Sequence, residues 1–160
     1  YNADGGHEVI YTAVVNSINN VLGDGVAATN PYPTFNDFRT AVSDRKVNGA
    51  FRSGWQPDYP SAENYLVQNF ASAAADGNGS NDGDYKNPEF DALCDKAAAS
   101  KSVADANKLY QQAQEVLLND LPAVPLYYAN AYGVASTGVS GFEMNWQNLP
   151  VYENMTKSGK

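Results

Sequence analysis

Gly49-Ala50-Phe51-Arg52-Ser53-Gly54-Trp55-Gln56-Pro57-Asp58-Tyr59-Pro60 is the stretch that decides how this 160-residue chain folds. Asn48-Gly49 marks a turn, and Ala50 to Trp55 reads as a strand running into a loop. Arg52, Trp55 and Asp58 place a cation, an indole and a carboxylate close together at the strand's end. In open α/β sheets, ligands bind beyond the ends of strands. Trp55 offers a flat wall with one donor, and Pro57 and Pro60 stiffen the loop. Asp58 offers a fixed negative charge that suits an ammonium group. The same residues also fit a purely structural loop, with Trp55 packed in the core and Asp58 capping the helix after Ser61.

Downstream, Ser61 caps a helix that bears Tyr65, Leu66 and Phe70, and Asp76 to Asp84 is too polar to be anything but loop. Asn87-Pro88 pairs a cap residue with a proline at the first helical position. Phe90, Leu93, Cys94 and Ala97 then form a buried face. A further helix from about Val103 to Asn119 carries Ala106, Leu109, Tyr110, Ala113, Val116 and Leu117, and Pro122 stops it. Ala123 to Ala129 reads as a central strand and Tyr132 to Ala135 as a second one. Upstream, Ile10, Val14, Ile18, Val21 and Leu22 recur at helical spacing, with Gly23 as a left-handed cap. Val26-Ala27-Ala28 is a short candidate strand. Thr34 to Asp37 has capping-box spacing before a helix that turns Phe38, Ala41 and Val42 inward. Helices alternate with short strands and no repeat is visible, so the fold class is α/β.

Composition narrows the function. A formal charge of −8, with scattered Lys and Arg, argues against a nucleic-acid partner. Residues 58–95 hold eight acids against Lys86 alone, which reads as a solvated face. The single cysteine, Cys94, excludes an internal disulfide, and the single histidine, His7, excludes a multi-histidine metal site. No apolar run approaches the ~20 residues of a membrane helix. Gly23-Asp24-Gly25-Val26-Ala27-Ala28 has the letters of a dinucleotide fingerprint but follows a helix and opens a strand, the reverse of what phosphate binding needs. Asn78, Ser80, Asp82 and Glu89 approximate a calcium-loop spacing, but Asn stands first and Pro88 stiffens the end, so a solvated loop fits better. No Gly-x-Ser-x-Gly elbow is present. Cys94 sits on an apolar helix face, and acid pairs such as Glu89/Asp91 lack enclosing walls. The balance favours capture over catalysis.

The quoted stretch resembles the Gly-Trp-x-x-Asp-Tyr signature of oligopeptide/dipeptide-type solute-binding proteins of ABC importers (family 5, class II periplasmic-binding-protein-like). Tyr1-Asn2 with His7, Gly49 to Trp55, Tyr85-Lys86-Asn87-Pro88-Glu89-Phe90-Asp91, and Leu109-Tyr110 through Asp120 to Tyr127 are similar to that family in the same order. The resemblance implies one lobe of such a fold, a mixed sheet flanked by helices. Residues 1–122 would be a partial C-terminal α/β lobe, and residues 123–160 a return strand and tail that pack toward a missing N-terminal lobe. The abrupt start at Tyr1 then implies a truncated strand.

It further implies a substrate-binding component that captures extended oligopeptides or dipeptides between two lobes and works with ABC permease subunits. Its place would be extracytoplasmic: the periplasm, or the cell surface through an upstream lipid anchor. Asp58 would pair with the peptide α-amino group and Trp55 would wall the adjacent side-chain pocket. Arg52 and His7 would meet the carboxylate. No catalytic residue, metal or cofactor is implied. The alternative is an oligosaccharide-binding protein or carbohydrate-binding module, because Trp and Tyr platforms also suit sugar faces. With the other lobe absent, Trp146, Leu149 and Tyr152 are expected to be exposed, mobile or packed on a neighbouring copy.

Overall fold

Glu8–Leu22 (α1) follows the expected helical period, yet none of its residues is buried, and Val21 is 81% exposed. In this computed structural model, residues 1–128 and 130–159 are described. The chain divides into two units, Tyr1–Gly54 and Trp55–Lys160.

In the first unit, α1 ends at Gly23, whose φ of 113° is positive but whose ψ of 155° is not that of the left-handed cap expected. The chain leaves extended because Asn19 reaches forward and holds it. The Asn19 side-chain amide donates to the Ala27 carbonyl at 3.0 Å, and its oxygen accepts from the Ala27 N–H at 2.8 Å. That reciprocal pair occupies the groups a neighbouring strand would use, so Val26-Ala27-Ala28 is not a strand. Thr34 caps Phe35–Ser43 (α2) as expected: its hydroxyl oxygen accepts from the Asp37 N–H at 3.1 Å, and the hydroxyl donates to Asp37 Oδ2 at 2.8 Å. Phe38, Ala41 and Val42 are buried beneath it, and Tyr32 lies against Phe38 at 5.9 Å. Asn2 and Tyr32 form an isolated parallel bridge. The expected strand from Ala50 into Trp55 is absent, because no neighbouring strand offers it a ladder among the described residues.

The second unit is built on three helices. Ser61 caps Ala62–Phe70 (α3), accepting from the Glu63 N–H. Asn87 caps Pro88–Ala98 (α4), with Pro88 in the first turn, and accepts from the Glu89 and Phe90 N–H groups. Ser102 caps Val103–Asp120 (α5) by accepting from the Asp105 N–H. Their facing sides enclose Leu66, Ala71, Phe90, Cys94, Ala97, Tyr110 and Ala113. Tyr65 points outward instead. The polar loop between α3 and α4 is organised by Asn81, which is buried. Its amide donates to the Ala71 and Tyr85 carbonyls, and its oxygen accepts from the Tyr85 N–H. That network makes the loop a structural connection. No three or more His, Cys, Asp or Glu residues converge to hold a metal among the described residues.

The strands expected over Ala123 to Ala129 and Tyr132 to Ala135 do not form; Ala129 itself lies outside the described residues. Val124, Leu126, Tyr127, Tyr132 and Val134 are exposed, the last at 96%, with no strand alongside to pair with them. A period-2 apolar pattern becomes a ladder only where a partner supplies the other half of the hydrogen bonds. The sheet present is two-stranded and antiparallel, Val139–Ser140 (β1) with Thr156–Lys157 (β2), rather than the mixed sheet expected. Trp146, Leu149 and Tyr152 are exposed.

A pH effect follows from the α4–α5 contact. The Tyr85 hydroxyl donates to Asp120 Oδ2 at 2.7 Å, and Asn87 donates to the same oxygen at 2.7 Å. Burial first, then the Asp120 carboxylate, pushes the Tyr85 phenol up to about 12. A pKa raised on folding stabilises the folded state below the unfolded value near 10, and that contribution is lost as pH climbs from there toward about 12. Tyr85→Phe is therefore expected to flatten the fall in melting temperature between pH 10 and 12. Cys94, whose thiol is pushed up to about 11, and Tyr110, also raised, still titrate in both proteins. Equal slopes for the two proteins would refute the Tyr85 contribution.

Candidate functional site

Asn64 is the third residue of α3 and is 1% exposed, an uncommon place for a polar side chain unless its bonds are made. Its Oδ1 accepts two hydrogen bonds, from Trp55 Nε1–H at 3.0 Å and from the Asp58 backbone N–H at 2.9 Å. Its Nδ2 donates to Asp58 Oδ2 at 3.3 Å. The loop ahead of α3 is thereby folded around one buried amide, with the indole half-buried and Asp58 exposed. Two further bonds fasten it from the C-terminal side. Gln147 Nε2 donates to the Pro57 carbonyl at 2.8 Å, and Gln56 Nε2 donates to the Gln147 carbonyl at 3.2 Å. The Tyr59 hydroxyl donates to Glu63, which raises the Tyr59 phenol above its ordinary value.

This geometry distinguishes the two ways of reading the loop. Asp58 does not cap α3; Ser61 does. Among the described residues, Asn64 is the only side chain bonded to the Asp58 carboxylate, through one oxygen. The other oxygen is left for a ligand or solvent. Trp55 is only half-buried and has its donor occupied, so what it offers outward is an apolar ring face.

Arg52 and His7 lie in the first unit. His7 stands just before α1, edge-on to Tyr11 at 6.4 Å, and makes no side-chain cap bond to the helix. Burial first and the Arg52 guanidinium second hold its imidazole below the ordinary value. It is consequently neutral at neutral pH, and Arg52 is the cation of the pair. Gly5 makes room for this arrangement: a Cβ there would lie 2.6 Å from the His7 ring and 2.5 Å from the Asn2 amide nitrogen. The structure thus groups Trp55 with Asp58 and, separately, His7 with Arg52. Cys94 offers no nucleophile, because burial pushes its thiol up to about 11 and keeps it protonated.

Sequence reasoning missed Asn64. The signal available was a polar amide three residues before Val67 and six before Phe70, both packed against the apolar core. Gln147 carried no local signal at all.

No family model matches the chain. Curated proteins do. Di/tripeptide-binding protein 4 of Pseudomonas aeruginosa (strain UCBPP-PA14) is 35% identical over 92 residues, covering 58% of this chain and 17% of that protein. Heme-binding protein A of Haemophilus influenzae is 28% identical over 125 residues, covering 78% and 22%. The solved structure of HbpA2 from Haemophilus parasuis superposes with a TM-score of 0.68 at 19% identity, over 96% of this chain and 29% of that one. The chain thus spans less than a third of the length of each. The superposition places the helices and short sheet in an α/β lobe. The chain is thus similar in sequence to part of these curated binding proteins and in fold to part of the solved HbpA2 structure.

Proposed function

We propose that the chain is part of the C-terminal lobe of a two-lobed solute-binding protein that captures short peptides outside the cytoplasm and delivers them to an ABC permease. The observation that carries this reading is the Asp58 carboxylate, exposed on a rigid loop beside the Trp55 ring, with one oxygen anchored and the other open. A fixed carboxylate next to an apolar wall suits a peptide α-ammonium group followed by a side chain. The name of the Pseudomonas relative, a di/tripeptide-binding protein, supports the same ligand class. Arg52 is the cation suited to a peptide carboxylate, and neutral His7 is suited to hydrogen-bond it. An extended peptide satisfies its own backbone by strand-like pairing, so the site need not select by side chain.

Residues 123–160 are assigned to the contact with the rest of the protein. Their individually exposed Val124, Leu126, Tyr127, Tyr132 and Val134 support this, since clustered exposed apolar side chains mark an interaction face. The protein acts by binding, not catalysis, and no described helix is long and apolar enough to cross a membrane.

A thermal-shift comparison on the two-lobed protein tests the proposal. A ligand at a hundredfold excess over its Kd stabilises by about 2.7 kcal/mol. Di- and tripeptides with free termini are expected to raise the melting temperature by that measure, and oligosaccharides are expected to leave it unchanged. Stabilisation by oligosaccharides and not by peptides would overturn the reading in favour of a sugar-binding protein.

A further inference from the structure

We infer that Asn64 is the positioning residue of this site, aiming the Asp58 carboxylate at an incoming ammonium group and restricting Trp55 to an apolar wall; the ligand half of this inference rests on the function proposed above. The amide makes three bonds to the loop, two as acceptor and one as donor. Its orientation is set by chemistry: two N–H groups face its oxygen, and a carboxylate faces its nitrogen. Asn64 is buried, so water does not replace these bonds. Only asparagine fits all three. Leucine keeps the branched skeleton, is bulkier, and loses every bond. Aspartate keeps the acceptor for Trp55 and the Asp58 N–H but turns an oxygen toward the Asp58 carboxylate. Glutamine carries the amide one methylene too far.

Two consequences bear on specificity. The Asp58 carboxylate is held through one oxygen while the residue itself stays exposed. The Trp55 N–H is used internally and is unavailable to a ligand, so the wall next to the ammonium site discriminates by shape and apolar contact. A site of this kind reads the free amine strictly and the adjoining side chain loosely.

The positioning half is tested on the chain itself. Its two tryptophans, Trp55 and Trp146, give two indole N–H resonances, and Trp146→Phe assigns them. In Asn64→Leu, the Trp55 indole proton is expected to move upfield and to exchange with water about tenfold faster or more. In the exchanged pair Asn64→Asp with Asp58→Asn, which retains the acceptor for Trp55 and keeps an amide facing a carboxylate, the resonance is expected to stay near its original position. Should Asn64→Leu fail to fold, the exchanged pair still decides: loss of the Trp55 signature in a folded Asn64→Asp/Asp58→Asn protein overturns the inference. So does an unmoved resonance in a folded Asn64→Leu protein.

The ligand half is tested by calorimetry on the two-lobed protein with trialanine and N-acetyl-trialanine. The original protein is expected to prefer the free amine, and Asn64→Leu to reduce that preference about tenfold. An unchanged ratio overturns Asn64's control of Asp58. Absence of any preference in the original protein overturns the peptide reading itself, and with it the ligand half, while the indole spectra still decide the positioning half.

Discussion

Asp58→Asn in the two-lobed protein is expected to weaken binding of a di- or tripeptide by at least about tenfold. Removing one partner of a buried charge pair costs ~2–5 kcal/mol, most of it from leaving the other charge desolvated and alone. Closure of two lobes over a peptide puts the α-ammonium group in that position, where a lower effective dielectric makes the carboxylate count for more than it does in water. Asparagine is the sharper substitution because its side-chain oxygen still accepts from Asn64 Nδ2 at the place of Asp58 Oδ2. The loop and the Trp55 wall then stay in place and only the charge is lost. Asp58→Ala is expected to lose more, since it also strands the Asn64 donor. Asp58 is exposed in the chain itself, so the folding stability of Asp58→Asn should lie within about 0.5 kcal/mol of the original. Titration calorimetry with a tripeptide gives the result directly. An unchanged Kd would remove Asp58 from the ligand-binding role.

What the sequence made legible, and what it hid, divides along the range of the interactions. Thr34, Ser61 and Asn87-Pro88 announced their helices because a cap is a bond between residues two or three apart. The inward faces of α2 and α4 were legible for the same reason: a helix repeats every few residues, so Phe38 with Val42, and Phe90 with Cys94 and Ala97, reveal their common side locally. Strands carry no such guarantee. Val26 to Ala28, Ala50 to Trp55 and Tyr132 to Ala135 have strand-like composition, but a strand exists only by pairing, and pairing depends on residues far away. At Ala27 the competing partner was a single side chain, Asn19, eight residues back. The Trp55 loop shows the same division. Its indole and carboxylate stood out in the sequence, whereas the amide that joins them lies six and nine residues further on, and Gln147, which clasps Pro57, lies ninety residues away.

Phe90→Ala is expected to destabilise the second unit by about 3–5 kcal/mol, the range for truncating a buried aromatic to alanine. Phe90 is 0% exposed and lies in the apolar cluster with Leu66, Cys94, Tyr110 and Ala113, where its ring meets that of Tyr85 edge-on at 6.0 Å. Alanine removes the ring's transfer energy and leaves a cavity among three helices already held by their caps, so little collapse can fill it. The edge-on contact with Tyr85 disappears as well, a further ~0.5–1.5 kcal/mol beyond area burial. Domains of this size are stable by only about 5–15 kcal/mol, so the substitution takes a large share of the total. Phe35→Ala is the control: Phe35 opens α2 half-exposed, and its loss should cost much less. Urea unfolding followed by helical circular dichroism is expected to show an early transition for Phe90→Ala and a nearly unshifted one for Phe35→Ala. A loss below about 1 kcal/mol for Phe90→Ala would mean that the α3–α4–α5 core does not hold this unit together, and the rigid footing of the Trp55–Asp58 loop on α3 would fall with it.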